Sequence, residues 1–131
     1  MKSESGTFLK REQTDMIGQM LWNAGLPVLD DLHNVSYGFS YPKNTSSDKE
    51  LQKIATTHYL NSFKDLQPGV TMVIMHCTAL TEVFDKISGA GITRKADLLA
   101  MQSPELKKYI EDNKIILATW RELKQRRDKV Q

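Results

Sequence analysis

The residue best placed to do chemistry is His76, which closes the apolar part of the run VTMVIMHCT at 70–78. The run is apolar on both faces, so it predicts a strand over 70–76 that is covered on each side, as in a parallel sheet. Parallel α/β folds carry their active groups at the C-terminal ends of strands. An imidazole there can act as a general acid or base near neutral pH. The alternative is a histidine that caps the strand and bonds a backbone carbonyl.

A second polar cluster, Asp30, Asp31 and His33, lies in the sequence GLPVLDDLH. Carboxylate and imidazole groups that lie close together could hold a divalent metal. The same residues could equally belong to a loop that leads from a helix to a strand. We therefore assign Asp30 and Asp31 as substrate-binding or supporting residues, and we assign no residue as a metal ligand.

Arg94 is assigned, like Asp30 and Asp31, as a substrate-binding or supporting residue, and Cys77 is the remaining candidate. Arg94 follows the sequence SGAG and could reach over a site to pair with a carboxylate, or lie on the surface as an ordinary arginine. Cys77 is the only cysteine, so no internal disulfide can form. Adjacent strand residues point to opposite faces, so Cys77 is expected to be a small buried residue and not a nucleophile paired with His76.

These candidates depend on the helices and strands that must position them. Apolar residues recur at helical spacing in four segments, and start or stop signals mark several ends, namely Ser47 with Glu50, Thr93, Ser103 with Pro104, and Gly25. Short runs of apolar, β-branched and aromatic residues predict strands. The predicted helices cover 12–24, a segment from 47 to the turn at 66–69, 80–87, 93–101, 104–113 and 121–130, and the predicted strands cover 35–39, 70–76 and 115–120.

This alternation predicts a single α/β domain over residues 1–131. Strands that alternate with helices are expected to be parallel and joined by right-handed crossovers. Three parallel strands leave two edges, which parallel sheets seldom expose. A complete barrel of this kind takes eight strands and about 250 residues. We therefore expect a partial (β/α) barrel of about three parallel strands with flanking helices, the last part of a larger fold.

The charge balance argues against a nucleic-acid partner, because 18 basic and 16 acidic residues leave a formal charge of only +2. The basic residues near the C-terminus suit a helix end, which favours cations. No apolar run approaches the ~20 residues of a membrane span, and MKSESGTFLK has no apolar segment typical of a secretory signal. We expect a cytoplasmic protein with no membrane partner.

Three segments together resemble a known family: LQPGVTMVIMHC, GITRKADLLAMQSPELKKYIEDNKIILATWREL and NAGLPVLDDLH. They are similar to the C-terminal portion of YdjC-like carbohydrate deacetylases, within the polysaccharide-deacetylase-like enzymes. The resemblance covers roughly 16–126 and includes the Pro-Gly-Val-Thr turn, the strand that closes in histidine, and the SPEL segment. Cys77 stands where many members of the family have proline.

The resemblance implies a distorted (β/α) barrel that removes N-acetyl groups from sugars with the help of a divalent metal. His76 matches the histidine at the end of a late barrel strand, and it would protonate the departing sugar amine or stabilise the tetrahedral intermediate. The family's metal-binding aspartate and paired histidines lie in N-terminal segments that have no counterpart here. We therefore expect the C-terminal portion of a deacetylase that is inactive alone.

A non-enzymatic alternative remains open at this point. The chain could be a small α/β module that self-associates, or binds a partner, through its open sheet edges. The expected partners are an acetylated sugar in a completed enzyme, a second copy of the chain, or a missing N-terminal half.

Overall fold

The computed structural model describes residues 11–37, 39–41 and 47–130. These residues form five α-helices, two β-strands and one short 3₁₀-helix. In chain order the elements are α1 (Arg11–Asn23), β1 (Asp31–Asn34), α2 (Asp48–Lys64), β2 (Thr71–Ile74), the 3₁₀-helix (Phe84–Lys86), α3 (Gly91–Met101), α4 (Pro104–Asp112) and α5 (Trp120–Asp128).

The chain separates into two compact units. The sheet unit spans Asp31–Ile115 and contains both strands with α2, α3 and α4. The helix-pair unit combines residues up to Asp30 with those from Ile116 onward, and its described elements are α1 and α5. His76 and Arg94 therefore belong to the sheet unit, together with Asp31.

The prediction of a partial (β/α) barrel with about three parallel strands is wrong. In the described residues the sheet has two strands, which pair in parallel from Asp31 opposite Thr71 to Asn34 opposite Ile74. The predicted strand 115–120 does not form. Thr119 instead starts α5 with a complete capping box, in which its hydroxyl accepts from the backbone N–H of Glu122 while its own N–H donates to the Glu122 carboxylate.

The first strand is shifted from its predicted position. It runs over Asp31–Asn34 and not over 35–39, of which residue 38 lies outside the described residues. The sequence DLHN has little intrinsic preference for a strand, so pairing with β2 decides its conformation. The second strand lies within its predicted range and ends at Ile74, two residues before His76.

Local signals located most helices correctly. Helices were predicted at α1 to α5, and the Ser47 hydroxyl accepts from the backbone N–H of Glu50 at the start of α2, at 3.2 Å. The predicted helix 80–87 is reduced to the 3₁₀-helix. Val83 and Ile87 are 60% and 73% exposed, so their helical spacing buries no face that could stabilise a longer helix.

The core of the sheet unit lies between α2 and the two helices α3 and α4. Ala55 of α2 and Ala96 and Ala100 of α3 are fully buried, and such small side chains allow close approach of the two helices. The other buried members are Val35, Leu51, Tyr59, Phe63 and Leu106. Tyr59 is an amphipathic core residue whose hydroxyl needs a partner inside the core, and this requirement leads to the candidate site.

Candidate functional site

Polar side chains from two strand ends and from the helices α2 and α3 meet at the C-terminal edge of the sheet. The parallel register continues past the strands, so Ser36 and His76 face each other two residues beyond Asn34 and Ile74. Ser36 Oγ and His76 Nδ1 are 3.0 Å apart. This edge is where parallel α/β folds place ligands and reacting groups.

Asp97 of α3 is the central acceptor of the site and is only 1% exposed. Its Oδ2 accepts from the Ser36 hydroxyl at 2.6 Å and from the His76 backbone N–H at 2.9 Å. Its Oδ1 accepts from the Tyr59 hydroxyl at 2.8 Å. A buried carboxylate needs such donors, because an unpaired buried charge is strongly destabilising. The bonds from Ser36 and His76 hold both strand ends against α3, and the bond from Tyr59 links α2 to α3.

These bonds determine which nitrogen of His76 carries the proton. The single hydroxyl proton of Ser36 is donated to Asp97, so Ser36 Oγ can only accept from Nδ1–H of His76. Nε2 of the neutral imidazole then carries a lone pair and no proton. It accepts from the Tyr37 hydroxyl at 3.2 Å. The order Asp97, Ser36, His76 therefore orients the imidazole and leaves Nε2 as the nitrogen that can take up or release a proton.

His58 of α2 supports the segment that carries Ser36. Its Nε2–H donates to the Val35 carbonyl at 2.8 Å, and its ring stacks on Phe39 with the centroids 3.9 Å apart. Val35 itself is 4% exposed and belongs to the core. The backbone just before Ser36 is therefore held by a buried side chain and by a hydrogen bond from α2.

Three groups near the site, the Tyr59 and Tyr41 hydroxyls and the Cys77 thiol, have raised pKa values and are protonated at neutral pH. Burial, followed by the hydrogen bond to Asp97, raises the pKa of Tyr59 far above its usual value, and burial and then Asp97 raise the pKa of Tyr41 to about 12. Cys77 is exposed, which corrects its expected burial. Partial desolvation and then Asp97 raise the pKa of its thiol, so Cys77 is not an activated nucleophile.

Asp31 lies at the opposite end of β1 from the site. Asp31 pairs in register with Thr71, which precedes His76 by five residues. Along the strand direction this corresponds to roughly 16 Å of extended chain between Asp31 and His76. Asp31 Oδ2 lies 3.4 Å from Nε2 of His33, whose Nδ1 is 3.4 Å from the Ser62 hydroxyl. Asp30 is exposed immediately before the strand. The geometry thus groups Asp31 with His33 and not with His76.

Arg94 lies on α3, three residues before Asp97. Its guanidinium carbon is 5.8 Å from the centre of the Phe84 ring, a cation–π arrangement. Its backbone carbonyl accepts from the N–H of Thr78, at 3.2 Å, which ties the segment after His76 to α3. The predicted role of the Arg94 side chain in substrate binding stays a prediction.

The described residues contain no group of three or more His, Cys, Asp or Glu side chains that could hold a metal ion. The Asp31–His33 pair supplies two such groups, fewer than a divalent site normally needs. The divalent metal implied by the resemblance therefore has no fitting set of ligands in the described part of the chain. Among the same residues, no helix is both long and apolar enough to cross a membrane.

Comparisons with family models, curated proteins and solved structures found no match to this chain. The resemblance to carbohydrate deacetylases therefore stays a prediction drawn from the motifs in the sequence.

The sequence singled out His76 as a candidate but not its partners Ser36, Tyr37 and Asp97, nor Tyr59, which bonds Asp97. One signal was present for Asp97, a carboxylate next to Ala96 and three residues before Ala100 on the buried side of an amphipathic helix. A charged residue on such a face needs buried donors. No comparable signal marked Ser36, because its role depends on strand register.

Proposed function

We propose that this chain supplies proton transfer in a carbohydrate deacetylase that removes an N-acetyl group from a sugar, with His76 as the acting residue. The observation that supports it is the fixed tautomer of His76 at the C-terminal edge of a parallel sheet. The sugar and the acetyl group come from the resemblance of the motifs. The geometry contributes the reason why His76 is suited to acid–base chemistry.

The proposed step is the collapse of the tetrahedral intermediate formed from the N-acetyl group. Protonated Nε2 of His76 donates its proton to the departing sugar nitrogen while the carbon–nitrogen bond breaks, and the products are acetate and a sugar amine. The imidazole is left neutral. During this step Nδ1–H keeps its bond to Ser36, which Asp97 in turn holds. The described residues offer no fitting ligands for the metal implied by the resemblance, and the step uses only His76, Ser36 and Asp97.

The test is acetate release from N-acetylglucosamine, with divalent metal added, by this chain combined with the N-terminal deacetylase segments that the resemblance implies and that carry the metal ligands; it requires measurable turnover with the wild-type chain. We expect His76→Ala to lower turnover by about 10²-fold or more, as for loss of a general acid. The matched control is His33→Ala, which removes an imidazole at the opposite end of β1 and should leave turnover nearly unchanged. Equal turnover of wild type and His76→Ala would remove His76 from the mechanism.

A second candidate function is an interaction module, and one observation favours it. Leu32 and Met72 are paired in register on one face of the sheet and are 51% and 42% exposed. Parallel sheets are normally covered on both faces, so this apolar pair is a candidate contact surface for a second copy of the chain.

Light scattering coupled to size-exclusion chromatography tests this second candidate. The wild-type chain should elute with a mass above that of one copy, and the double substitution Leu32→Lys with Met72→Lys should restore the mass of a single copy. Leu117→Lys is the control, because Leu117 is 76% exposed but lies outside the sheet unit. A wild-type chain of single-copy mass at every concentration would eliminate self-association.

A further inference from the structure

The hydroxyl group of Tyr37 covers Nε2 of His76, the nitrogen that transfers the proton in the proposed function. Tyr37 OH lies 3.2 Å from Nε2, and the two rings meet edge to face with centroids 4.9 Å apart and an interplanar angle of 77°. Because Nδ1 already carries the ring proton, the Tyr37 hydroxyl is the donor to Nε2. The proton transfer proposed above requires the same nitrogen, so Tyr37 and a ligand cannot both occupy it.

Tyr37 differs from the other members of the site in its exposure. Its side chain is 61% exposed, whereas Ser36 and Asp97 are 7% and 1% exposed. Rotation of the Tyr37 ring away from His76 exchanges a hydrogen bond to Nε2 for one to water, at the small net cost of one ordinary hydrogen bond. Removal of Ser36 or Asp97 would instead leave buried polar groups without partners. Ser36 and Asp97 therefore form the fixed, buried part of the site, whereas the exposed Tyr37 can be replaced as the partner of His76.

We propose that Tyr37 is a removable cap on His76, and that the ligand displaces it by offering its own O–H or N–H to Nε2. The phenol hydroxyl occupies the position that a sugar hydroxyl or amide N–H would take. To replace Tyr37, a ligand must therefore carry an O–H or N–H group at the reacting position. The choice of a sugar as that ligand rests on the proposed function, whereas the cap itself rests only on the geometry of Tyr37 and His76.

Chemical modification of the imidazole tests the cap without any substrate. Diethyl pyrocarbonate acylates an unprotonated, accessible imidazole nitrogen, and peptide mass spectrometry measures the rate at each histidine separately. At a fixed pH we expect Tyr37→Phe, which keeps the ring and removes the hydroxyl, to accelerate modification of His76 about fivefold, the factor that corresponds to one ordinary hydrogen bond. Rates at His33 and His58 should stay the same and serve as internal controls.

Two outcomes would overturn the cap. An unchanged His76 rate in both Tyr37→Phe and Tyr37→Ala means that Tyr37 does not cover Nε2. Acceleration in Tyr37→Ala alone means that the ring shields the imidazole and that the hydroxyl does not hold it. Tyr37 is exposed, so both variants should fold, and unchanged rates at the two control histidines confirm this.

The same measurement with N-acetylglucosamine present separates the cap from the proposed function. A sugar that replaces Tyr37 should slow modification of His76, and should do so at about fivefold lower concentration in Tyr37→Phe, where no hydroxyl has to be displaced. Faster modification in Tyr37→Phe without any protection by the sugar would support the cap and count against the sugar. Protection at the same concentration in both proteins would overturn the displacement of Tyr37.

Discussion

A single carboxylate, that of Asp97, organises the candidate site. It accepts from one serine hydroxyl, one tyrosine hydroxyl and one backbone N–H, and it reaches the imidazole of His76 only through Ser36. This arrangement uses a hydroxyl as a spacer between acid and imidazole. It fixes the ring orientation while keeping Asp97 two hydrogen bonds and the width of the imidazole ring away from Nε2, the nitrogen that acts.

Substitution of Asp97 by Asn tests this organisation at the level of stability. The amide would place an N–H₂ group against hydroxyl or backbone donors, so at least one buried donor loses its acceptor. We expect Asp97→Asn to lower the free energy of unfolding by about 2–4 kcal/mol, measured by urea denaturation. Asp112→Asn, at an exposed ion pair with Lys108, is the control and should change stability little. Similar small changes in both variants would contradict a central role for Asp97.

Two tyrosines, the buried Tyr59 and the half-buried Tyr41, predict how stability depends on alkaline pH. In the folded chain the pKa values of Tyr59 and Tyr41 lie above the ordinary value of 10.0, because of burial first and Asp97 second. The unfolded chain therefore loses these protons at lower pH, and the stabilisation that is complete below pH 10 declines as the pH rises through 10 to 12. Urea denaturation at pH 8 to 12 measures this decline, which should be shallower in Tyr59→Phe. Parallel curves for the two proteins would contradict it.

At the scale of single elements, α1 ends in a way that its sequence specifies. Gly25 has a φ of +83°, its N–H donates to the Trp22 carbonyl at 3.0 Å, and the N–H of Leu26 donates to the Leu21 carbonyl at 2.9 Å. These two bonds form a Schellman motif, in which glycine adopts the left-handed conformation without steric cost. Arg127 of α5 adds a further donor to the Trp22 carbonyl and places its guanidinium 5.0 Å from the centre of the Trp22 ring.

Two glycines of this segment give a matched pair of substitutions with opposite expected signs. Gly25→Ala forces a side chain into the left-handed region and should destabilise the chain by about 1 kcal/mol. Gly18 lies inside α1, and an added Cβ would sit 3.8 Å from Val28 Cγ1, an ordinary contact. Gly18→Ala should therefore stabilise by about 0.5–1 kcal/mol. Thermal unfolding measures both, and equal signs would contradict the assignment of the helix end.

At the scale of the whole molecule, the division into two compact units predicts separate unfolding events. Residues within a unit support one another more than they support the other unit, so local destabilisation should stay confined. In native-state hydrogen exchange, Asp97→Asn should accelerate exchange of protected amides in 31–115 and leave those in 11–30 and 116–130 unchanged. Equal acceleration in both units would mean that the chain unfolds as one cooperative body.

The sequence by itself determined the features that depend on neighbours within one or two turns. Cap residues and apolar spacing placed α1, α2, α3 and α4, and the apolar run predicted a strand over 70–76, of which Thr71–Ile74 forms β2. These are local interactions, which a linear pattern records directly. Even here the short apolar run at 115–120 was misread as a strand, since such a run has no periodicity that distinguishes strand from extended loop.

Only the tertiary structure decided what surrounds His76. Ser36 meets it because β1 and β2 pair with an offset that no local signal specifies, and Asp97 reaches it from a helix 21 residues further along the chain. The number of strands was settled in the same way, since a strand forms only where another strand supplies hydrogen-bond partners. Register and buried polar networks couple distant residues, and their energies arise only after the chain has folded.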